Sequence, residues 1–276
     1  MVAGRGDPFD WLARIRPRRH CSVVDVWQVL GLAAAAFLAG AINAVAGGGS
    51  LVSFPAIVAA GYDTKAANVT NTVALWPGYA SGSFGYRDEL GRQRGRVARL
   101  TIPSILGAVA GSVILLATPS DVFDIVVPFL IVFACVLMLA QDRLAKRFRR
   151  HPEGTEAPVT ASVLAATFLL AIYGAYFGAG LGIMLLAVLG IFLPDELQHS
   201  NALKGMLSLV MNAMAVAWFA LFGPVEWVVV LVMAAGAVAG GYLGVGVARR
   251  LGRRWLRLSV VSYGFAAAVV LFIRAF

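Results

Sequence analysis

Charge is what this chain has least of: 13% of its 276 residues are Asp, Glu, Lys or Arg, against 60% hydrophobic residues. An ordinary soluble domain carries roughly 25% charged residues, so a water-soluble enzyme or binding module is excluded. Cysteine is nearly absent: Cys21 and Cys135 are too few and too far apart for a disulfide framework or a metal site. With three histidines, no H-E-x-x-H, no G-x-S-x-G elbow and no nucleotide-binding motif, neither a metal, a cofactor nor an ATP-driven cycle is expected. Acid is scarcer than base, 14 residues against 23, for a net charge of +9. The arginines are confined to segments between apolar runs, which is how topology-setting charges are placed in a membrane protein. Nucleic acid is therefore not the expected partner. The lipid bilayer is.

What the chain does have is apolar length. Runs of about 20 residues, enough to cross a hydrocarbon core, lie near 23–46, 66–84, 97–118, 122–140, 159–177, 200–222, 225–247 and 255–273. Two shorter pieces, 51–61 and 181–193, follow glycine clusters directly and read as half-helices. A basic arm (Arg14, Arg16, Arg18, Arg19) before an apolar stretch ending Ala44-Val45-Ala46 imitates a signal peptide. The run is too long for that, so the first helix is expected to be retained.

The sequence repeats itself. A shift of 133 positions aligns Gly47 with Gly180, Gly49 with Gly182, Asn68 with Asn201, Gly107 with Gly240 and Gly111 with Gly244, and puts Asp63 in register with Glu196. The expectation is an all-α polytopic membrane protein of two inverted-topology repeats, each about four transmembrane helices plus one half-helix. Residues 1–22 form a basic arm, 23–140 the first repeat, 141–158 a polar linker and 159–276 the second repeat.

Charge supplies the inversion. The link after the third apolar piece of the first half carries Arg87, Arg92, Arg94, Arg96 and Arg99, whereas its counterpart around Gly223 and Pro224 has no base. At the next link Pro119–Asp121 is bare, while Arg249, Arg250, Arg253, Arg254 and Arg257 crowd its counterpart. Equivalent links then face opposite sides. The same count puts the basic N-terminal arm outside. Either that arm departs from the rule, with Asp7 and Asp10 partly offsetting it, or the first half-helix does not change sides.

Backbone N–H and C=O groups cannot face lipid unpaired, so a broken helix at membrane depth lines an interior site. The breaks "NAVAGGGS" (Asn43, Gly47, Gly48, Gly49, Ser50) and "FGAGLG" (Gly178, Gly180, Gly182) each precede a short helix. The N-terminus of such a helix presents N–H donors and partial positive charge, and suits an anion. Lys204, Ser208 and Asn212 form one polar stripe at four-residue spacing, with Asn201 at its start. An intramembrane ammonium is costly and usually marks a ligand pathway. In the other half Asn68, Thr70, Asn71 and Thr72 supply neutral donors. By contrast Gly107, Gly111, Gly236, Gly240 and Gly244, four apart on regular helices, read as helix-packing residues. Asp63 and Glu196 read as solvated helix-end caps, His199 as an interfacial side chain, Pro55 and Pro77 as kinks, and Trp76, Trp218, Trp227 and Trp255 as packing or interfacial anchors.

The pair "GAINAVAGGGSLVSFPAIVAAG…AANVTNT" and "GAYFGAGLGIMLLAVLGIFLP…NALKGMLSLVMN" resembles the TauE/SafE, or sulfite exporter, family of membrane transporters over 23–273. The resemblance implies an inner-membrane carrier of sulfite, a sulfonate or another sulfur-containing or organic anion. It carries the paired glycine breaks and the polar starts Asn68–Thr72 and Asn201–Lys204 as site residues. A passive anion channel needs the same broken polar helices and stays open as an alternative. An intramembrane hydrolase with Ser50 as nucleophile and His199 as base is the remote one, and a substrate-free scaffold leaves the breaks unexplained. Substrate, direction, coupling ion and oligomeric state, homo-oligomer included, are not fixed by the sequence.

Overall fold

The computed structural model describes residues 25–45, 47–84, 87–148, 158–193, 197–251 and 253–275. The N-terminal arm with Cys21, residues 149–157 of the linker and Glu196 lie outside them, as do the surroundings of Gly244 and the Trp255 side chain. The described residues form helices and no strands. In chain order these are α1 (Val26–Val45), α2 (Ser50–Ala59), α3 (Thr64–Phe84), α4 (Arg87–Arg92), α5 (Arg94–Ala117) and α6 (Ser120–Phe148), then α7 (Ala161–Tyr176), α8 (Leu181–Phe192), α9 (Leu197–Phe222), α10 (Trp227–Leu251) and α11 (Arg253–Ala275). Both expected half-helices are present, as α2 and α8. The polar stretch after residue 140 is less of a linker than its composition suggests, because α6 continues through Phe148.

Among the described residues, five helices are long and apolar enough to cross a membrane: α1, α5, α6, α9 and α11. Helix α7 has 16 residues, and within the described side chains the apolar stretch of α10 is Trp227–Leu243. Helix α3 falls short for a different reason. Its polar run is turned into protein: all ten residues from Ala66 to Leu75 are buried, so it needs no lipid-facing apolar stripe. The outer helices do carry one, with Ile102, Leu106, Phe129, Phe133 and Val136 exposed. This is a multi-pass integral membrane protein.

The packing has a two-fold pattern. Helix α1 lies along α10 as α7 lies along α5; α3 meets α10 as α9 meets α5; α6 pairs with α11 and α3 with α9. Each partnership maps onto its counterpart when the halves are exchanged. Glycine makes the two longest crossings close. A Cβ on Gly240 would lie 1.9 Å from the Phe37 carbonyl oxygen, and one on Gly236 would lie 2.5 Å from that of Ala33. In the other half, a Cβ on Gly107 would lie 2.4 Å from the Phe168 oxygen and one on Gly111 2.2 Å from the Ile172 oxygen. These glycines are packing residues, as their spacing indicates.

Named contacts fix the two ends of the bundle. At one, Thr70 Oγ1 accepts the Glu226 N–H at 3.0 Å. There Lys65 Nζ also donates to the carbonyls of Leu116 and Thr118 at 2.8 and 2.7 Å, and Thr64 bonds Asp124. This Glu226 end therefore holds both base-free links, 118–119 and 223–226. At the other, Gln93 Nε2 donates to the His199 carbonyl at 3.1 Å, so the arginine-bearing link 87–99 lies at the Gln93 end. The contacts of Gly236 with Ala33 and Gly240 with Phe37 make α1 parallel to α10, so α1 starts from the Glu226 end. Those of Gly107 with Phe168 and Gly111 with Ile172 make α7 parallel to α5, starting from the Gln93 end. Equivalent helices thus enter from opposite ends, as an inverted arrangement requires. Since α3 begins at the Glu226 end, α2 runs back toward it. The first half-helix leads back to the end at which α1 begins, and that end is opposite the arginine-bearing link.

Candidate functional site

The first break begins where α1 stops. Gly47 and Gly48 take φ values of 73° and 107°, a left-handed region that costs any other residue about 1–2 kcal/mol. The chain reverses so tightly that a Cβ on Gly49 would lie 2.1 Å from the Ala39 carbonyl oxygen. Asn43, still on α1, reaches across the turn, and its Oδ1 accepts the N–H groups of Gly48 and Gly49 at 3.1 and 2.7 Å. Two of the donors that the sequence offers to an anion are therefore taken up inside the protein. Ser50 is the first residue of α2, and Ser53 Oγ donates to the Gly49 carbonyl at 3.3 Å.

The second break shares one left-handed glycine position with the first and has a different latch. Gly180, the repeat partner of Gly47, has φ 77°, and Gly178 has φ 75°. Here Tyr173 Oη donates to the Ala179 carbonyl at 2.6 Å, so the side chain satisfies an acceptor and consumes no N–H. The carbonyl of Tyr176, last residue of α7, accepts Asn68 Nδ2 at 2.9 Å from the opposite half. Phe54 of α2 sets its ring edge-on against Phe177, with centroids 5.6 Å apart, and Phe123 of α6 does the same to Tyr176 at 5.8 Å.

The two breaks meet. A Cβ on Gly47 would lie 3.4 Å from Gly182 Cα, and one on Gly182 would lie 3.6 Å from both Gly47 Cα and Lys204 Cδ. The N-terminus of α8, the turn of the first break and the stem of the half-buried Lys204 thus share one junction. Asn201 is half-buried near the start of α9, while Ser208 and Asn212 are buried further along it. Asn212 is partly spent, its Nδ2 donating to the backbone carbonyl of Ser208 at 2.8 Å. On α3, Thr72 Oγ1 donates to the Asn68 carbonyl at 3.0 Å, and Thr70 is committed to Glu226. Asn71, at the position equivalent to Lys204, is 2% exposed, and its Oδ1 has no hydrogen-bond partner.

Asp63 caps α3: its Oδ2 accepts the N–H groups of Lys65 and Ala66 at 3.2 and 3.4 Å. Trp76 is an internal anchor, its Nε1 donating at 3.4 Å to the carbonyl of Leu209, its own repeat partner, where α3 crosses α9. Trp227 is exposed, in keeping with an anchor at the surface. Pro55 and Pro77 lie within continuous helices. The composition-level reading passes over Tyr173, Lys65, Gln93 and Glu226. The last two are repeat partners, so carrying the 133-residue register through the links between helices would have found them. Nothing in the local sequence marks Tyr173 or Lys65. Burial, and secondly the Glu226 carboxylate, hold the phenol of Tyr62 above its ordinary pKa.

Comparison with known proteins gives the same architecture a family. The family described as sulfite exporter TauE/SafE matches residues 32–271. A probable membrane transporter protein of Haemophilus influenzae is 28% identical over 83% of this chain and 88% of its own length. One of Sinorhizobium, ORF9, is 27% identical over 85% and 88%, and YfcA of Escherichia coli, also a probable membrane transporter protein, is 25% identical over 82% of each. No solved structure matches. The matched span runs from within α1 to within α11 and takes in both breaks, and the chain belongs to the sulfite exporter TauE/SafE family of membrane transporters.

Proposed function

We propose that this chain is a secondary carrier of a small anion, such as sulfite, a sulfonate or another sulfur-containing or organic anion, working by alternating access. The observation that carries this reading is the junction of Gly47, Gly182 and Lys204. A helix N-terminus and an ammonium stem converge there within the membrane, where a fixed positive potential is strong and water competes least. Glycine at both contact points leaves the backbone approachable.

The ends of the bundle suit alternation. Gln93 and Glu226 are repeat partners, and each ties the segment before a spanning helix to the first turns of α9 or α3 in the other half. Parting one tie while keeping the other opens the junction to one side at a time. With bases marking the cytoplasm, the Gln93 end faces inward and α1 starts outside. The bacterial sources of the relatives place such a carrier in the inner membrane.

The test is flux in liposomes holding the purified protein. Sulfite or sulfonate should move down an imposed gradient, and Lys204→Ala should abolish it. Undiminished flux in that variant removes the site, and single-channel currents in place of saturable exchange would make the protein a channel.

A further inference from the structure

Asn71 is the odd member of the polar run on α3. Asn68 is bonded to the Tyr176 carbonyl, Thr70 to the Glu226 N–H and Thr72 to the Asn68 carbonyl, whereas Asn71 Oδ1 is enclosed without a donor. Buried acceptors are rarely left so, because the desolvation cost stays uncompensated. The amide lies three residues from Asn68, which puts it on the neighbouring turn of the same helix face, next to the residue that grips the start of the second break. It also occupies the repeat position of Lys204.

We infer that Asn71 is a specificity-determining residue that accepts a hydrogen bond from the transported anion. The preferred substrate then carries, besides its negative group, an O–H or N–H donor: a hydroxy- or aminoalkanesulfonate, or an oxyanion in its protonated form. This rests on the anion-carrier reading above. The negative group meets Lys204 and the α8 N-terminus, and the donor meets Asn71. An anion without a donor leaves the acceptor orphaned in the complex as in the free protein. A site with a polar group to satisfy discriminates against such analogues more sharply than an apolar pocket does.

The experiment compares 2-hydroxyethanesulfonate with propane-1-sulfonate, which have the same number of heavy atoms, by binding to purified wild-type protein and by flux in liposomes. The hydroxylated anion should bind roughly ten-fold more tightly or better, and Asn71→Leu should bring the ratio near unity by weakening that anion. Should the variant fail to assemble, 2-methoxyethanesulfonate tests the wild type directly: it keeps the oxygen, lacks the O–H, and should bind as weakly as the propane compound. Equal affinities in the wild type, a ratio that survives Asn71→Leu, or a methoxy compound as good as the hydroxy one each overturns the inference. If the wild type binds none of these anions nor sulfite, the carrier reading falls with it; if it binds the two sulfonates alike, only this inference falls.

Discussion

In the first break an amide oxygen, that of Asn43, takes two backbone N–H groups, whereas in the second a hydroxyl, that of Tyr173, donates to a backbone carbonyl. The glycine backbones coincide at one position, φ 73° at Gly47 and 77° at Gly180, and differ at the next, where Gly48 of the first break and Gly178 of the second have no left-handed counterpart. One latch consumes donors and the other consumes an acceptor. The α2 N-terminus is therefore partly neutralised by a side chain, while at the α8 N-terminus, beside Lys204, the N–H groups of Leu181 and Ile183 bond the Gly178 and Gly180 carbonyls and the Tyr173 latch takes no further donor. An architecture that is two-fold in its packing is one-sided in its chemistry. Sulfite and a sulfonate group have three-fold and not two-fold symmetry, so the proposed site has no need of matching chemistry in the two halves.

The largest effect should come from challenging what the halves share. Gly240→Ala and its partner Gly107→Ala each place a methyl carbon within 2.4 Å of a carbonyl oxygen on the facing helix. Neither helix can yield without separating, so each should cost about 3 kcal/mol or more, seen as loss of folded protein or a large drop in melting temperature in detergent. If one variant collapses while the other is tolerated, the two crossings are not equivalent.

Next come the latches, where the halves should differ. Asn43→Leu keeps the volume but orphans the Gly48 and Gly49 N–H groups, a loss of about 2–3 kcal/mol. Tyr173→Phe removes one donor from the Ala179 carbonyl, for about 1 kcal/mol. Thermal melts of both variants should therefore rank Asn43→Leu well below Tyr173→Phe. The reverse order would mean that the second break, not the first, depends on its latch.

How far this was readable from the chain follows the kind of interaction involved. The long apolar helices and the two half-helices are set by apolar length and glycine spacing, which are local properties, and Ser50–Ala59 and Leu181–Phe192 fall where those indicate, whereas the short polar helix Arg87–Arg92 has neither signal. The packing glycines are legible for the same reason. Which polar residues are left for a ligand is not local. Asn43 looks like a ligand in sequence because nothing there reveals that the turn brings Gly48 and Gly49 back onto it, and Thr70 looks available because Glu226 is 156 residues away. The meeting of Gly47 with Gly182 likewise depends on how the halves dock. The direction of α1 needed its contacts with α10, since its basic arm argues for the other side.

The smallest effect on folding should come from Gly182→Ala, and it isolates the junction from the scaffold. Gly182 has no left-handed φ, and its added Cβ would sit 3.6 Å from Gly47 Cα and from Lys204 Cδ, ordinary van der Waals distances. Stability should change by less than about 0.5 kcal/mol. The methyl group nevertheless occupies the space between the two breaks and the lysine stem, where the anion is proposed to approach the backbone. Flux in liposomes should fall about ten-fold, the cost of a ligand displaced from two or three good contacts. At Gly180 the same substitution leaves 3.6 Å to Ala134 Cβ but forces an alanine to φ near 77°, so it should cost stability first. A Gly182→Ala protein that transports normally would put the anion somewhere other than between the breaks.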